Sequence, residues 1–436
     1  MERILARAKK VAEAADVFVV VSEETPVQFE ANRLKNIQSK QSTTVALRVV
    51  CNGRIGYAAA TSLEDGQHLV DMAVAAAQFG MAAKFELPVV RSYPEIDIFD
   101  IDTESVSLEA MIKLGEELIG KLRKHTPTLL CNASISKDVM SVRIMNSRGG
   151  QASYKMTISG LGVWGNLIRG TDMLFVGDSE SSCHPILESD TIAKAVIQRL
   201  ELASRMATVS TRSLPVVFTP DGVASAIIPS LMAAFNGKLV LEGASPIGSK
   251  LGQKVFDKKL QVWDDPTRDY RPTSRPCDDE GVASRRTPLI EEGVVTNFLY
   301  DLQTAALAHT RSTGNGSRGR GGLPSPSPSA FVIAPGKVTL DEMISDIKDG
   351  LVVDELMGAD QGNILGGDFS GNILLGYKVE NGKITGRVKD TMVSGNIYQL
   401  LKEITAIGSE AKWVGGSLFI PPLYFSGVSV ASKGKK

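Results

Sequence analysis

Three carboxylates stand side by side at Asp278, Asp279 and Glu280, between Cys277 and Gly281. Adjacent acids in a loop can orient a basic group or a neighbouring histidine, and they can equally form a solvated turn. A second stretch, Thr313-Gly314-Asn315-Gly316-Ser317-Arg318-Gly319, spells G-x-G-x-x-G from Gly314, the spacing of a dinucleotide loop. Such a loop needs a buried strand before its first glycine and a helix after its last, because the pyrophosphate rests on backbone N–H groups at that helix N-terminus. Here the preceding TAALAHTRST reads as the end of a helix, and the following GGLPSPSPSA carries alternating prolines that forbid one. The nucleotide reading fails. An RNA-binding reading of SRGRGG fails too, since arginine-glycine tails are long, repeated and interleaved with aromatics. What remains is a glycine loop running into an extended, polyproline-like segment, with Arg311, Arg318 and Arg320 nearby. It either lies in a groove and presents its backbone to an extended peptide, or is a plain surface loop.

Metal chemistry finds little support. No two of the 4 histidines, His68, His125, His184 and His309, lie within one or two helical turns of each other, so there is no H-E-x-x-H-type pair. His184 with Glu188 has roughly ligand spacing, but Pro185 and the lack of a third local ligand favour a surface turn. No G-x-S-x-G elbow is present, so a hydrolase triad is unsupported.

The composition bounds the rest. A chain of 436 residues with 43% hydrophobic and 22% charged residues is expected to fold into two or three compact units. Lysine plus arginine (48) nearly balance aspartate plus glutamate (49), and the −1 formal charge offers no field for a polyanion; direct nucleic-acid binding is not expected. The basic tail Lys433, Lys435 and Lys436 reads as a solvated terminus. Four scattered cysteines, Cys51, Cys131, Cys183 and Cys277, without a C-x-x-C pair fit a reduced, cytoplasmic protein. There is no signal-peptide pattern and no apolar run long enough to span a bilayer.

The elements that must position these residues fall into two sets. Residues 1–210 read as an α+β domain, an antiparallel sheet with helices on one face. Apolar spacing gives a helix over 2–14, a buried strand at 16–21 and a hairpin turning at Asn52-Gly53. Further helices follow: one opened by Ser62 with Asp65, one through Leu108–Leu122 and one from Ser189 to about Arg205, with strand-like stretches between 129 and 176. Residues 211–436 read as a mainly β domain, a sheet or barrel. Its signals are the strand PVVFT, an apolar helix DGVASAIIPSLMAAF interrupted by Pro229, hairpins at Glu292-Gly293 and Asn381-Gly382, and a capping box Thr339/Glu342.

Taken together, CDDEGVASRRTPLIEEGVVTNFLYD, STGNGSRG and ELMGADQGNILGGDFSGNILLGYKVENGKITGRVKDTMVSGNIYQLLKEI resemble the TldD/PmbA family. The N-terminal VQFEANRLKNIQSKQSTTVALRVVCNGRIGYAAATS is similar to that family's opening domain, so the resemblance covers almost the whole chain. It implies a two-domain metalloprotease subunit whose TldD branch holds zinc on an H-E-x-x-x-H helix just after a mid-chain strand. In this sequence the matching helix offers Ile227, Ile228, Pro229, Ser230, Leu231 and Met232, which cannot hold zinc or an activated water. That departure puts the chain in the PmbA, or TldE, branch, which is implied to be a non-catalytic, metal-free partner of a zinc-bearing TldD-like subunit. Such pairs are implied to enclose a channel for small or unfolded peptides, trimming substrates such as a microcin precursor or a labile antitoxin. The family's older name, modulator of DNA gyrase, implies no contact with DNA. A homodimer is compatible with the absence of the partner.

Carried over to this sequence, the family's acidic block falls on Asp278, Asp279, Glu280 and Gly281. Its Gly-Asn-Gly block falls on Gly314, Asn315 and Gly316, with Thr313 and Arg318 beside it. These residues are candidates for the peptide-channel wall or the subunit interface. Two other readings stay open: a stand-alone peptidase with an atypical metal site built from Cys183, His184 or the Asp278 cluster, and a peptide-binding regulatory protein using residues 314–328.

Overall fold

A computed structural model describes residues 1–319 and 321–433, so Arg320, Lys435 and Lys436 lie outside the described residues. The N-terminal half is built on one antiparallel sheet. Its strands are β1 (Ala14–Glu30), β2 (Arg33–Ile37), β3 (Lys40–Cys51), β4 (Arg54–Ala60), β5 (Leu130–Asn146), β6 (Gln151–Arg169) and β7 (Asp172–Ser182). They run in the order β4-β3-β1-β5-β6-β7, with β2 paired to β1. The β3–β4 turn is Asn52-Gly53, both at positive φ (50° and 68°), as the hairpin signal required.

Side chains alternate across a strand, and one face of the long β1 serves two cores along its length. Val17 and Val19 pack with helices Glu2–Ala8 and Gly66–Ala77, while Val27 and Phe29 pack with helix Leu108–His125. The alternate face carries Asp16 and Phe18. Phe18 packs with Ala46, Val142, Ile144 and Cys277, a cluster contributed by both halves of the chain.

Helix boundaries differ from the sequence reading in small, explicable ways. The first helix stops at Ala8, and residues 9–11 form a turn before β1. The helix expected from Ser62 begins at Gly66: Asp65 is the cap, accepting from His68 N, while Ser62 accepts from Glu64 N just upstream. The third helix runs Asp190–Leu202.

In the C-terminal half five strands close on themselves. Arg212–Phe218 lies between Asp349–Met357 (parallel) and Leu423–Ser432 (antiparallel); Thr391–Asn396 and Asp368–Glu380 complete the ring back to Asp349–Met357. The fold is thus α+β with a barrel in its second half. Phe218, Phe369 and Phe425 pack edge to face inside it, with ring centres about 6 Å apart. Beside it a smaller sheet has Val262–Asp264 between Thr287–Glu291 and Phe331–Ile333. A shared core joins the halves: Leu118, Leu122, Val196 and Leu200 of the N-terminal helices pack with Val217, Tyr377 and Tyr424 of the barrel strands.

Candidate functional site

The acidic loop and the glycine loop meet. Asp278 turns back on its own loop, its Oδ1 accepting from Glu280 N (3.0 Å) and Val282 N (2.9 Å). Its Oδ2 accepts from Gly316 N at 2.8 Å. Asp279 Oδ2 accepts from Arg318 N at 2.8 Å, and the Asp279 carbonyl accepts from Arg318 Nε at 3.1 Å. Asn315 donates to Asp264 Oδ2 at 2.7 Å and to the Ser327 carbonyl at 3.1 Å, fixing the loop to the small sheet and to the proline segment. Thr313 Oγ1 accepts from Tyr300 N at 2.8 Å. Glycine is needed at 316 because a Cβ there would stand 2.5 Å from Glu280 Oε2, and at 281 because φ is +80°.

The network crosses into the N-terminal sheet through two residues that sequence reasoning missed. Asp16 of β1 and Arg48 of β3 are register partners, joined Nε to Oδ1 at 2.8 Å. Arg48 Nη1 donates to Glu280 Oε1 at 2.6 Å, and Arg318 Nη2 donates to Asp16 Oδ2. The other Glu280 oxygen accepts from Leu302 N at 2.7 Å. A signal was present in the sequence: a charge at the head of DVFVVV and another inside VALRVV, each in a run that otherwise reads as buried strand.

Burial sets the electrostatics. Asp16, Arg48, Asp278, Glu280, Asn315 and Arg318 are all at most 2% exposed, so the acidic loop is not a solvated turn. Asp16, Asp264, Asp278, Asp279 and Glu280 share three guanidiniums, those of Arg48, Arg275 and Arg318. Acids outnumber bases, and burial pushes the Asp264 carboxyl up to about 6 and raises those of Asp278 and Glu280 above their ordinary range. Burial lowers the Arg318 pKa as well. The arrangement is a lock between the halves of the chain rather than an array aimed at a reacting group. Of the eight sequence candidates only Asp279 lines the adjacent cavity of about 400 Å³, which also takes in Ser317 and Gly319.

A second charge cluster is half-buried. Arg199, on helix Asp190–Leu202, binds Asp354 and Asp221 at 2.7 Å each and Asp178 at 3.5 Å. Lys412 reaches Asp221 at 2.7 Å and Asp178 at 3.3 Å.

The residues that family resemblance puts where zinc would sit do not fit the metal. The apolar helix of the sequence reading is two short ones, Pro220–Ala226 and Ile228–Ala234, broken at Ile227 just ahead of Pro229. Ile227, Ile228 and Leu231 are at most 2% exposed in the barrel core. Asp221 is the sole carboxylate on the pair and is bound to Arg199 and Lys412. With no imidazole, thiolate or free carboxylate there, zinc has no ligand set. The alternative ligands are not brought together either. Cys183 is fully buried, its thiol pushed up to about 12 by burial, while His184 is exposed, 2.6 Å from Asp100 Oδ2 and stacked on Tyr270. Among the described residues no three histidine, cysteine or acidic side chains form a group that could hold a metal ion.

The family model described as PmbA/TldA metallopeptidase C-terminal domain matches residues 211–432, and that described as PmbA/TldA metallopeptidase domain 1 matches residues 15–77. The chain belongs to the PmbA/TldD family. An uncharacterized protein of Methanocaldococcus jannaschii is 27% identical over 98% of this chain and 99% of its own length. The PmbA homologue of Haemophilus influenzae, named a metalloprotease, is 25% identical over 96% of this chain and 94% of its own. The fold is that of the crystal structure of TldE from Thermococcus kodakarensis, with TM-score 0.89, 22% identity and coverage of 99% of this chain and 100% of that one. Within the PmbA/TldD family the chain stands with the PmbA/TldE branch.

Proposed function

We propose that this chain is a non-catalytic, metal-free subunit that pairs in the cytoplasm with a zinc-bearing TldD-like subunit to process small or unfolded peptides. The observation that carries the reading is membership of a metallopeptidase family, matched over residues 15–77 and 211–432, combined with a zinc-position helix of Ile227, Ile228, Pro229, Ser230, Leu231 and Met232. In this reading the division into domains 1–210 and 211–436 is retained. Asp278, Asp279, Glu280, Thr313, Gly314, Asn315, Gly316 and Arg318 act behind the channel wall, holding its loops in register against the N-terminal sheet. An uncovered apolar patch supports a partner. Leu130, Trp164, Ile168, Met173 and Phe175 are 37–55% exposed on neighbouring strands β5, β6 and β7, where register sets Ile168 beside Met173.

Co-purification from the native host tests the proposal. The expected result is a complex with a chain carrying H-E-x-x-x-H, in which zinc and peptide hydrolysis reside. Stoichiometric zinc and peptide hydrolysis in this chain alone would overturn it. The peptide-binding reading keeps one specific support, the cavity beside Asp279.

A further inference from the structure

The second charge cluster borders a cavity of about 350 Å³, whose wall holds Asp178, Arg199, Asp221, Asp354, Glu355 and Lys412. Four carboxylates thus meet two cations. Both cations are engaged: Arg199 by its three aspartates and the Gly177 carbonyl, Lys412 by Asp178 and Asp221. Glu355 has no ion pair and no hydrogen bond among the described residues, and burial, with Asp354 and Asp221 close by, raises its pKa. Asp178 Oδ2, Asp221 Oδ1 and both Glu355 oxygens stay open acceptors, and none of them is closed off from solvent.

The backbone brings the extra carboxylate here. Alternation along strand Asp349–Met357 would send Asp354 and Glu355 to opposite faces. The pairing with Asp368–Glu380 shifts register between Val353 and Glu355 and again between Glu355 and Leu356, and both carboxylates line the one cavity.

Trp164 and Trp413 complete the wall. Trp164 lies across two glycines of its sheet: a Cβ on Gly162 or on its register partner Gly177 would stand 3.0 or 2.8 Å from the indole. Of the 3 tryptophans, Trp413 carries the Arg271 guanidinium 4.9 Å from its ring centre and Trp263 carries that of Arg286 at 3.9 Å. Trp164 has no such cation among the described residues, although it stands beside the acid-rich cavity. It belongs as well to the apolar patch of β5, β6 and β7, so a protein that covers the patch also roofs the cavity. Sealing four carboxylates with two cations away from water is costly unless the cover brings positive charge. Acceptors on three separate elements and an open indole suit a planar guanidinium better than a point-like ammonium.

We propose that the partner subunit docks on this face with an arginine side chain in the cavity, stacked on Trp164 and hydrogen-bonded to Glu355, Asp178 and Asp221. The inference rests on the subunit reading above and gives that contact its anchor: an apolar patch with one charged socket at its margin.

The test uses the full-length chain, alone and in complex. Titration of the isolated chain with N-acetyl-argininamide, followed by tryptophan fluorescence and NMR, is expected to saturate, with the neutral isostere N-acetyl-citrullinamide at least about tenfold weaker. Trp164→Leu, which keeps the patch apolar but removes the aromatic face, should weaken the arginine probe by about threefold or more. Assembly with the zinc-bearing subunit should abolish probe binding, because the cavity is then filled. By sedimentation, Glu355→Gln is expected to weaken that assembly by about 3- to 30-fold and Glu355→Lys by more. Glu355→Gln should not lower the thermal midpoint of the isolated chain, since Glu355 has no partner to lose. Failure of the arginine probe to saturate, equal binding of the citrulline probe, or undiminished assembly of both Glu355 variants would overturn the proposal. Probe binding retained in the complex would overturn it too, leaving the cavity open to peptides instead. An intact complex that neither Glu355 variant weakens removes this inference alone; the absence of any complex with a zinc-bearing chain removes the subunit reading itself.

Discussion

Arg48 Nη1 lies 2.6 Å from Glu280 Oε1, so a guanidinium in the third strand of the N-terminal sheet is joined to a carboxylate 232 positions further along the chain. The same guanidinium holds Asp16, and Asp16 holds Arg318 of the glycine loop. Four side chains from four segments thus complete one buried chain of charge, in which Arg48 and Asp16 each serve two partners.

Arg48→Met is therefore expected to destabilise the protein by about 3–5 kcal/mol, because Asp16 and Glu280 lose their shared cation in a dry site. Glu280→Gln should cost less, since the amide oxygen still accepts one of the two hydrogen bonds. Urea unfolding of the two single variants and the double variant measures the coupling. A sum of the singles equal to the double would show that the contact carries no energy of its own.

Acid titration has a defined sign at Asp264. Its folded pKa, about 6, lies above the unfolded value of about 3.9, so the native state binds a proton that the unfolded chain releases. That contribution to stability is full below about pH 4 and is lost as pH rises through about 6. Denaturant midpoints across this window should show a falling component that disappears in Asp264→Asn. A component rising with pH and assigned to this group would contradict the burial argument.

Chelators should leave the isolated chain unchanged. If no metal stabilises the native state, treatment with EDTA or phenanthroline shifts neither thermal midpoint nor far-UV spectrum, whereas a bound structural ion would reveal itself as a loss of stability. The informative comparison is the complex with its partner, whose hydrolysis should stop under the same treatment.

Arg199→Lys tests the second cluster. Arg199 uses Nε, Nη1 and Nη2 to reach Asp354, Asp178 and Asp221 on three separate elements, a span that one ammonium cannot cover. A loss of about 1 kcal/mol or more is expected, close to that of Arg199→Met, between the values for exposed and for buried pairs. Full rescue by lysine would mean that charge alone matters there.

Trp164 is 55% exposed and Phe175 37% on adjacent strands, so the pair Trp164→Asp and Phe175→Asp should change the monomer's unfolding free energy by no more than about 1 kcal/mol. Association with the partner, followed by analytical ultracentrifugation, is expected to weaken at least about tenfold if these side chains anchor it.

Much of the scaffold could be read from local signals because those signals are local in physics. The turn at Asn52-Gly53 needs positive φ, the Thr339/Glu342 box satisfies its own helix end, and Pro229 cannot continue the preceding helix but suits the first turn of the next. The closing of the barrel could not be read so, since the parallel pairing of Arg212–Phe218 with Asp349–Met357 joins segments with no shared turn. The candidate loops were recognisable as blocks, but their burial was not. Asp278 and Glu280 look like a solvated turn until Arg48 and the Gly316 N–H arrive from elsewhere to compensate them. The hydroxyls of Thr273, Ser274 and Ser329, buried without a hydrogen-bond partner among the described residues, carry no periodicity at all.

The ring of five strands has a consequence for how the protein is made. Arg212–Phe218 is translated roughly 200 residues before one of its two neighbours, Leu423–Ser432. Through most of synthesis that early strand has an open edge rich in Leu214, Val216 and Phe218, the kind of surface that recruits strands from other nascent chains. A stop codon ahead of Leu423 would remove the strand that closes the ring. It would leave every preceding element in place and turn the barrel into an open, self-adhesive sheet.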